Sequence, residues 1–71
     1  MIIESEQFIK GWDEYDFHLT TAFNADRAYE ALREEGFMAS LSGGESTVTI
    51  AVPHEKARAI VRARLIIEAL Q

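Results

Sequence analysis

Cysteine is absent from this 71-residue chain, which closes off both a disulfide framework and a thiolate zinc site. Proline occurs once. No apolar run approaches the roughly 20 residues that cross a bilayer. Bases are scarce: seven Lys and Arg stand against twelve Asp and Glu, for a net charge of −5. The first residues, Met1-Ile2-Ile3-Glu4-Ser5-Glu6, are acidic and do not read as a signal or transit segment. The rest of the composition is that of a folded chain, since 48% hydrophobic and 27% charged residues are too apolar a mixture for disorder. These counts predict one domain over residues 1–71 in a reducing, cytoplasmic setting.

Size sets the first energetic constraint. A chain this short buries only about 60% of its unfolded surface, so a single core is marginal. Below roughly 70–80 residues extra stabilisation usually comes from disulfides, metal or association. Disulfides are excluded and no metal or other cofactor is expected, which leaves association with a partner as the route to more buried area.

Local patterns predict the elements. From Asp16 to Phe23 apolar and polar residues alternate, with Phe17, Leu19, Thr21 and Phe23 on one side, which reads as a strand. Asn24 is a good N-cap for a helix over about 25–35, whose Ala25, Ala28, Tyr29 and Leu32 share one face. Gly36 stands where a left-handed C-terminal cap belongs. Phe37 to Leu41 reads as a short strand, Ser42-Gly43-Gly44-Glu45 as a turn, and Ser46 to Val52 as a strand with Val48, Ile50 and Val52 inward. Pro53 ends that ladder, and a helix follows over about 54–70. The first segment, Ile3 to Trp12, has β character around Phe8-Ile9-Lys10, and Asp13 to Asp16 reads as a turn.

Together these give an α+β fold, a four-stranded antiparallel sheet with two helices on one face in the order ββαββα. A shift of 29 positions aligns Phe8 with Phe37, Leu19 with Val48, Ala28 with Ala57 and Arg33 with Arg62, suggesting a duplicated ββα unit. The alternative is βαββα with a disordered or edge N-terminal segment. The expected core joins Phe8, Phe17, Leu19, Phe23, Phe37, Leu41, Val48, Ile50 and Val52 of the sheet to Ala28, Tyr29, Leu32, Ile60 and Ile67.

The last helix is richer in apolar residues than one core requires. Its apolar stripes are two: Ala59, Ile60, Ala63, Ile67 and Leu70 form one, while Val61 and Leu65 lie nearly opposite, with Ile66 between. Arg64 and Glu68 are spaced i,i+4 to pair. A helix apolar on two sides is buried on two sides or exposes a patch. This predicts a non-catalytic, self-associating interaction or regulatory domain, a homodimer whose protein interface is Val61, Leu65, Ile66, Arg64 and Glu68.

Charge divides unevenly: residues 1–36 hold nine acids and three bases, a net of −6, and residues 37–71 hold three acids and four bases, a net of +1. Lys56, Arg58 and Arg62 are therefore candidate contacts for an anion or a charged partner. The charge pattern admits two further readings: a nucleic-acid-associated protein using the basic last helix, and an acidic inhibitor that mimics nucleic acid. Against direct binding, the outer sheet residues His18, Thr20, Ser40, Thr47 and Thr49 include no aromatic pair on which bases could stack.

Enzymatic chemistry is not expected. His18 and His54 lack metal-ligand spacing, because the position one helical turn after His54 is Arg58. Ser42, His54 and Glu45 supply the residue types of a nucleophilic triad without an elbow motif. The Ser42–Glu45 glycines lack the lysine of a phosphate-binding loop.

One family resemblance can be drawn. From about Phe17 the βαββα order resembles the small dimerising subunit of the KEOPS tRNA-modification complex. Thr47-Val48-Thr49-Ile50, then Arg58-Ala59-Ile60-Val61 with Leu65, is similar to that family's last strand and arginine-bearing helix, over about the final third of the chain. Arg62 and Ala63 replace the small polar Asn-Ser pair that the family favours. The resemblance implies a dimer serving as a complex subunit and carries over no functional residues.

Overall fold

The computed structural model describes residues 2–9, 13–41, 46–53 and 57–70, with the backbone of Lys56. Trp12, the expected turn Ser42–Glu45, His54, Glu55 and the side chain of Lys56 lie outside the described residues, and with them the paper triad of Ser42, His54 and Glu45.

The chain runs β1 (Ile3–Phe8), β2 (Glu14–Leu19), α1 (Ala22–Glu34), β3 (Ala39–Leu41), β4 (Thr47–Ala51) and α2 (Lys56–Glu68). The four strands form one antiparallel sheet in the order β1-β2-β4-β3. This is the ββαββα, α+β architecture expected, and the first strand forms, so the βαββα alternative does not hold. No helix among the described residues is long and apolar enough to cross a membrane.

Alternation along the two central strands decides what is buried. Tyr15, Phe17 and Leu19 of β2 and Val48 and Ile50 of β4 point toward the helices, joined by Val52 just beyond β4. Ala25, Ala28 and Leu32 of α1 and Ile60, Ala63 and Ile67 of α2 close the core from above. Phe8, Tyr29 and Phe37 pack at its margin.

The two helices lie antiparallel and are tied at both ends. The Arg27 guanidinium of α1 donates to the Leu70 carbonyl at 2.7 Å, satisfying an oxygen that α2's last turn leaves open. At the other end Arg62 of α2 donates to Glu35 at 3.0 Å and lies 5.3 Å from the Phe37 ring centre.

Several boundaries differ from the expectation. Strand β2 starts at Glu14, so Glu14, Tyr15 and Asp16 are strand rather than turn, and it stops at Leu19. Thr21, not Asn24, caps α1: its extended backbone (φ −144°, ψ 158°) lets Oγ1 accept from the Asn24 amide at 3.0 Å. Phe23 thereby joins the helix, two residues before Ala25 and almost opposite it on the helical wheel, and is 69% exposed instead of buried. Gly36 takes φ +94° after the α1 C-terminus, as expected, and its amide reaches the Arg33 carbonyl at 3.0 Å.

Phe37 precedes β3 rather than opening it, and Leu41 is exposed because it sits at the end of a three-residue edge strand with a neighbour on one side only. The step from Ala22 to Lys56 and from Glu34 to Glu68 is 34 positions, so the 29-residue shift sets helical Ala22 and Phe23 against Ala51 and Val52, which are not helical.

The β1–β2 ladder carries a register shift that turns a charged side chain inward. Ile3 pairs with Leu19, but Ser5 pairs with His18, so two residues of β1 advance against one of β2. Parity flips at this bulge. Ile3 faces the helices, and beyond the bulge so do Glu6 and Phe8, opposite Phe17 and Tyr15.

Candidate functional site

Two side-chain constellations and one exposed face stand out. The first lies under α2. Glu6, turned toward the helices by the bulge, receives the Arg64 guanidinium side-on, with Nε 3.0 and 2.9 Å from its two oxygens. Tyr15 donates its hydroxyl to the same carboxylate at 2.9 Å. Glu6 is 21% and Arg64 35% exposed, so the pair is only partly hydrated. The Arg64 hydrogen bond holds the Glu6 carboxyl below its ordinary range, with the Tyr15 hydroxyl helping and burial opposing. Burial, then the Glu6 carboxylate, pushes the Tyr15 phenol up. The hydrogen bond to Glu6 raises the Arg64 guanidinium, which stays protonated.

Tyr15 also stacks edge-on with Phe8 at 4.8 Å and with Phe17 at 5.2 Å. Glu6, Tyr15 and Arg64 thus engage one another inside the fold and serve as a rivet between α2 and the β1 edge. Arg64, expected at a protein interface, reaches across to β1. The spacing of Arg64 and Glu68 was legible in the sequence. The bulge that aims Glu6 at Arg64 was not.

The second constellation lies on the sheet face away from the helices. His18 Nδ1 and Thr47 Oγ1 share a hydrogen bond of 2.9 Å, and Thr49 donates to Asp16 at 2.6 Å. Thr47 is buried although it points outward, and His18 is half-buried. These polar cross-strand pairs satisfy one another. Among the described residues no group of three His, Asp or Glu side chains comes together as a metal site.

The exposed face belongs to α2. Val61 is 47% and Leu65 61% exposed, on the side of the helix opposite Ile60, Ala63 and Ile67. Ile66 does not join them: it packs half-buried against the core. Arg58 and Leu65 line an open groove with Ala57, Ala59, Val61 and Arg62. Ala59 and Arg62 also border a second groove of ≈480 Å³ walled by Phe37, Met38, Val52 and Pro53, where Met38 is 78% exposed. The apolar surface thus continues from α2 across its N-terminal half to the segment before β3. Arg62 stands in the middle of it, held by Glu35 and Phe37.

Of the expected interface residues, then, the structure brings Val61 and Leu65 together on an open face, sets Glu68 one helical turn further along, and gives Ile66 and Arg64 internal roles. Met38 was missed as a surface residue because the pattern assigned it to a strand, whereas Phe37, expected in the core, packs half-buried at its margin and also walls the groove. Compared with protein-family models, curated proteins and solved structures, the chain matches none.

Proposed function

We propose that the protein is a non-catalytic interaction domain that associates with itself through the outer face of α2. The observation that carries this reading is the exposure of Val61 and Leu65 on a helix whose opposite face is fully committed to the core. A small chain gains most from covering such a face, because its single core is marginal. The grooves beside it are apolar, open and continuous with it. Among the described residues their linings are mainly apolar, with Asp13, Arg58 and Arg62 at their borders, which favours a contact surface over a reaction site.

The nucleic-acid reading has less support. Arg62 and Arg64, two of the basic residues of α2, are engaged by Glu35 and Glu6. Among the described residues the open sheet face presents Asp16 and Glu14 beside His18 and the threonines, without aromatic side chains.

Sedimentation at micromolar concentration tests the proposal. The wild-type chain is expected to run as a dimer, and Val61→Glu or Leu65→Glu to shift it to monomer without loss of helix signal, since both sites are exposed. A wild-type chain that stays monomeric, or a dimer indifferent to both substitutions, rejects the reading.

A further inference from the structure

Resting on that reading, we infer that the partner is a second copy of this chain docked antiparallel, its α2 crossing the first about a two-fold axis level with residue 63. The order of side chains along the outer face points to this docking. Arg58, Val61, Leu65 and Glu68 follow one another at spacings of three, four and three. These are the a, d, a and d positions of a heptad seam. Arg58, Val61 and Leu65 are exposed on the side away from the buried stripe Ile60, Ala63 and Ile67, and Glu68, half-buried, ends the seam on its flank.

In an antiparallel pair each a residue shares a layer with a d residue of the other helix. About a centre at 63, Val61 meets the second copy's Leu65, and Arg58 meets its Glu68. The layers then read, from end to end, Arg–Glu, Val–Leu, Leu–Val, Glu–Arg. Two apolar layers are flanked by two layers of opposite charge, and the arrangement is self-complementary, as a two-fold contact requires. In the parallel alternative a meets a and d meets d, which stacks arginine on arginine and glutamate on glutamate at the two ends of the seam. Charge therefore selects the antiparallel orientation.

The surface relief fits the same docking. A knob of a coiled coil enters a hole made by four residues of the facing helix. Arg58, Val61, Arg62 and Leu65 form such a set, and the open groove on α2 is lined by these four with Ala57 and Ala59. In the antiparallel register it is the second copy's Leu65, level with Val61, that enters. Small Ala57 and Ala69, both exposed, flank the seam and let the helices approach.

Charge exchange tests the orientation separately from the self-association. Arg58→Glu places two acids in each outer layer of the antiparallel pair and is expected to weaken the dimer roughly tenfold or more in sedimentation, as is Glu68→Arg. The double variant Arg58→Glu/Glu68→Arg is expected to restore the wild-type affinity. In a parallel pair Arg58→Glu merely exchanges one like-charged layer for another, with little change. A dimer sensitive to Leu65→Glu but indifferent to the single charge reversals keeps the self-association and overturns the antiparallel seam. A wild-type chain that never dimerises overturns both. Circular dichroism confirms that each variant is folded; should a reversal unfold the chain, Arg58→Gln and Glu68→Gln replace it, with a smaller weakening expected from each.

Discussion

α1 and α2 are both 13 residues long, lie side by side on the same face of one sheet and each insert three fully or nearly fully buried residues into the core. Their outer faces differ. That of α1 carries Asp26, Arg27, Glu30, Arg33 and Glu34, all exposed, with one exposed apolar ring, Phe23 of its first turn, which has the Arg27 guanidinium over it at 5.8 Å. That of α2 carries Val61 and Leu65 between Arg58 and Glu68. The fold treats the two helices alike, so the difference is not needed to build the monomer. It is the difference that a contact with another molecule would require.

The largest expected effects test the sameness of the inner faces. Leu32→Ala in α1 and Ile67→Ala in α2 each remove a side chain with no exposed surface and are expected to cost about 2–5 kcal/mol in urea unfolding. Leu65→Ala, on the outer face, is expected to change monomer stability by no more than about 0.5 kcal/mol. A small loss for Ile67→Ala, or a core-sized loss for Leu65→Ala, would contradict the division of α2 into a buried and an open face.

The next effect concerns what anchors α2 to the sheet. Glu6→Gln leaves Arg64 and Tyr15 facing a neutral amide and is expected to cost about 1–2 kcal/mol at pH 7, less than a fully buried pair because water still reaches Arg64. The sign of the pH dependence comes from the lowered Glu6 pKa. Its contribution is complete above its ordinary value of 4.5 and disappears as pH falls through the lower folded value, since the unfolded chain binds the proton first. Unfolding curves of wild type and Glu6→Gln should therefore converge in acid. Curves that stay parallel would show that the ion pair contributes nothing to holding α2.

The smallest effects concern the ends of α1. Thr21→Ala should lose about 1 kcal/mol with the amide contact to Asn24, and Asn24→Ala should lose less. Gly36→Ala should lose about 1 kcal/mol, because a Cβ is strained at φ +94° although nothing crowds it. If Asn24 proved the costlier site by thermal unfolding, the cap would lie where its sequence position first placed it.

What was legible in the chain depends on the range over which each signal acts. Val48, Ile50 and Val52 alternate, and Ala28 and Leu32 repeat at helical spacing, so their burial could be read directly. Gly36 declared its own conformation. Phe23 was misplaced because alternation from Phe17 runs smoothly through it, and nothing local says that the strand yields to the helix at Thr21 rather than Asn24. Of the candidate interface, Val61 and Leu65 were legible as a second apolar face. Ile66 was not, because a residue between two stripes is assigned by how the helix rolls against its sheet. Met38 emerged as exposed only with the boundaries of β3.

Element order, the two buried strand faces and the doubly apolar last helix are written in the amino-acid order alone, because hydrophobic spacing and capping chemistry act within a few residues. Three features exist only once the chain is packed: the bulge near Ile3 that turns Glu6 inward, the reach of Arg64 to that carboxylate, and the closure of Arg62 on Glu35. The two ion pairs join residues 58 and 27 positions apart. No local pattern encodes them, since each depends on strand register and on the angle at which α2 meets the sheet.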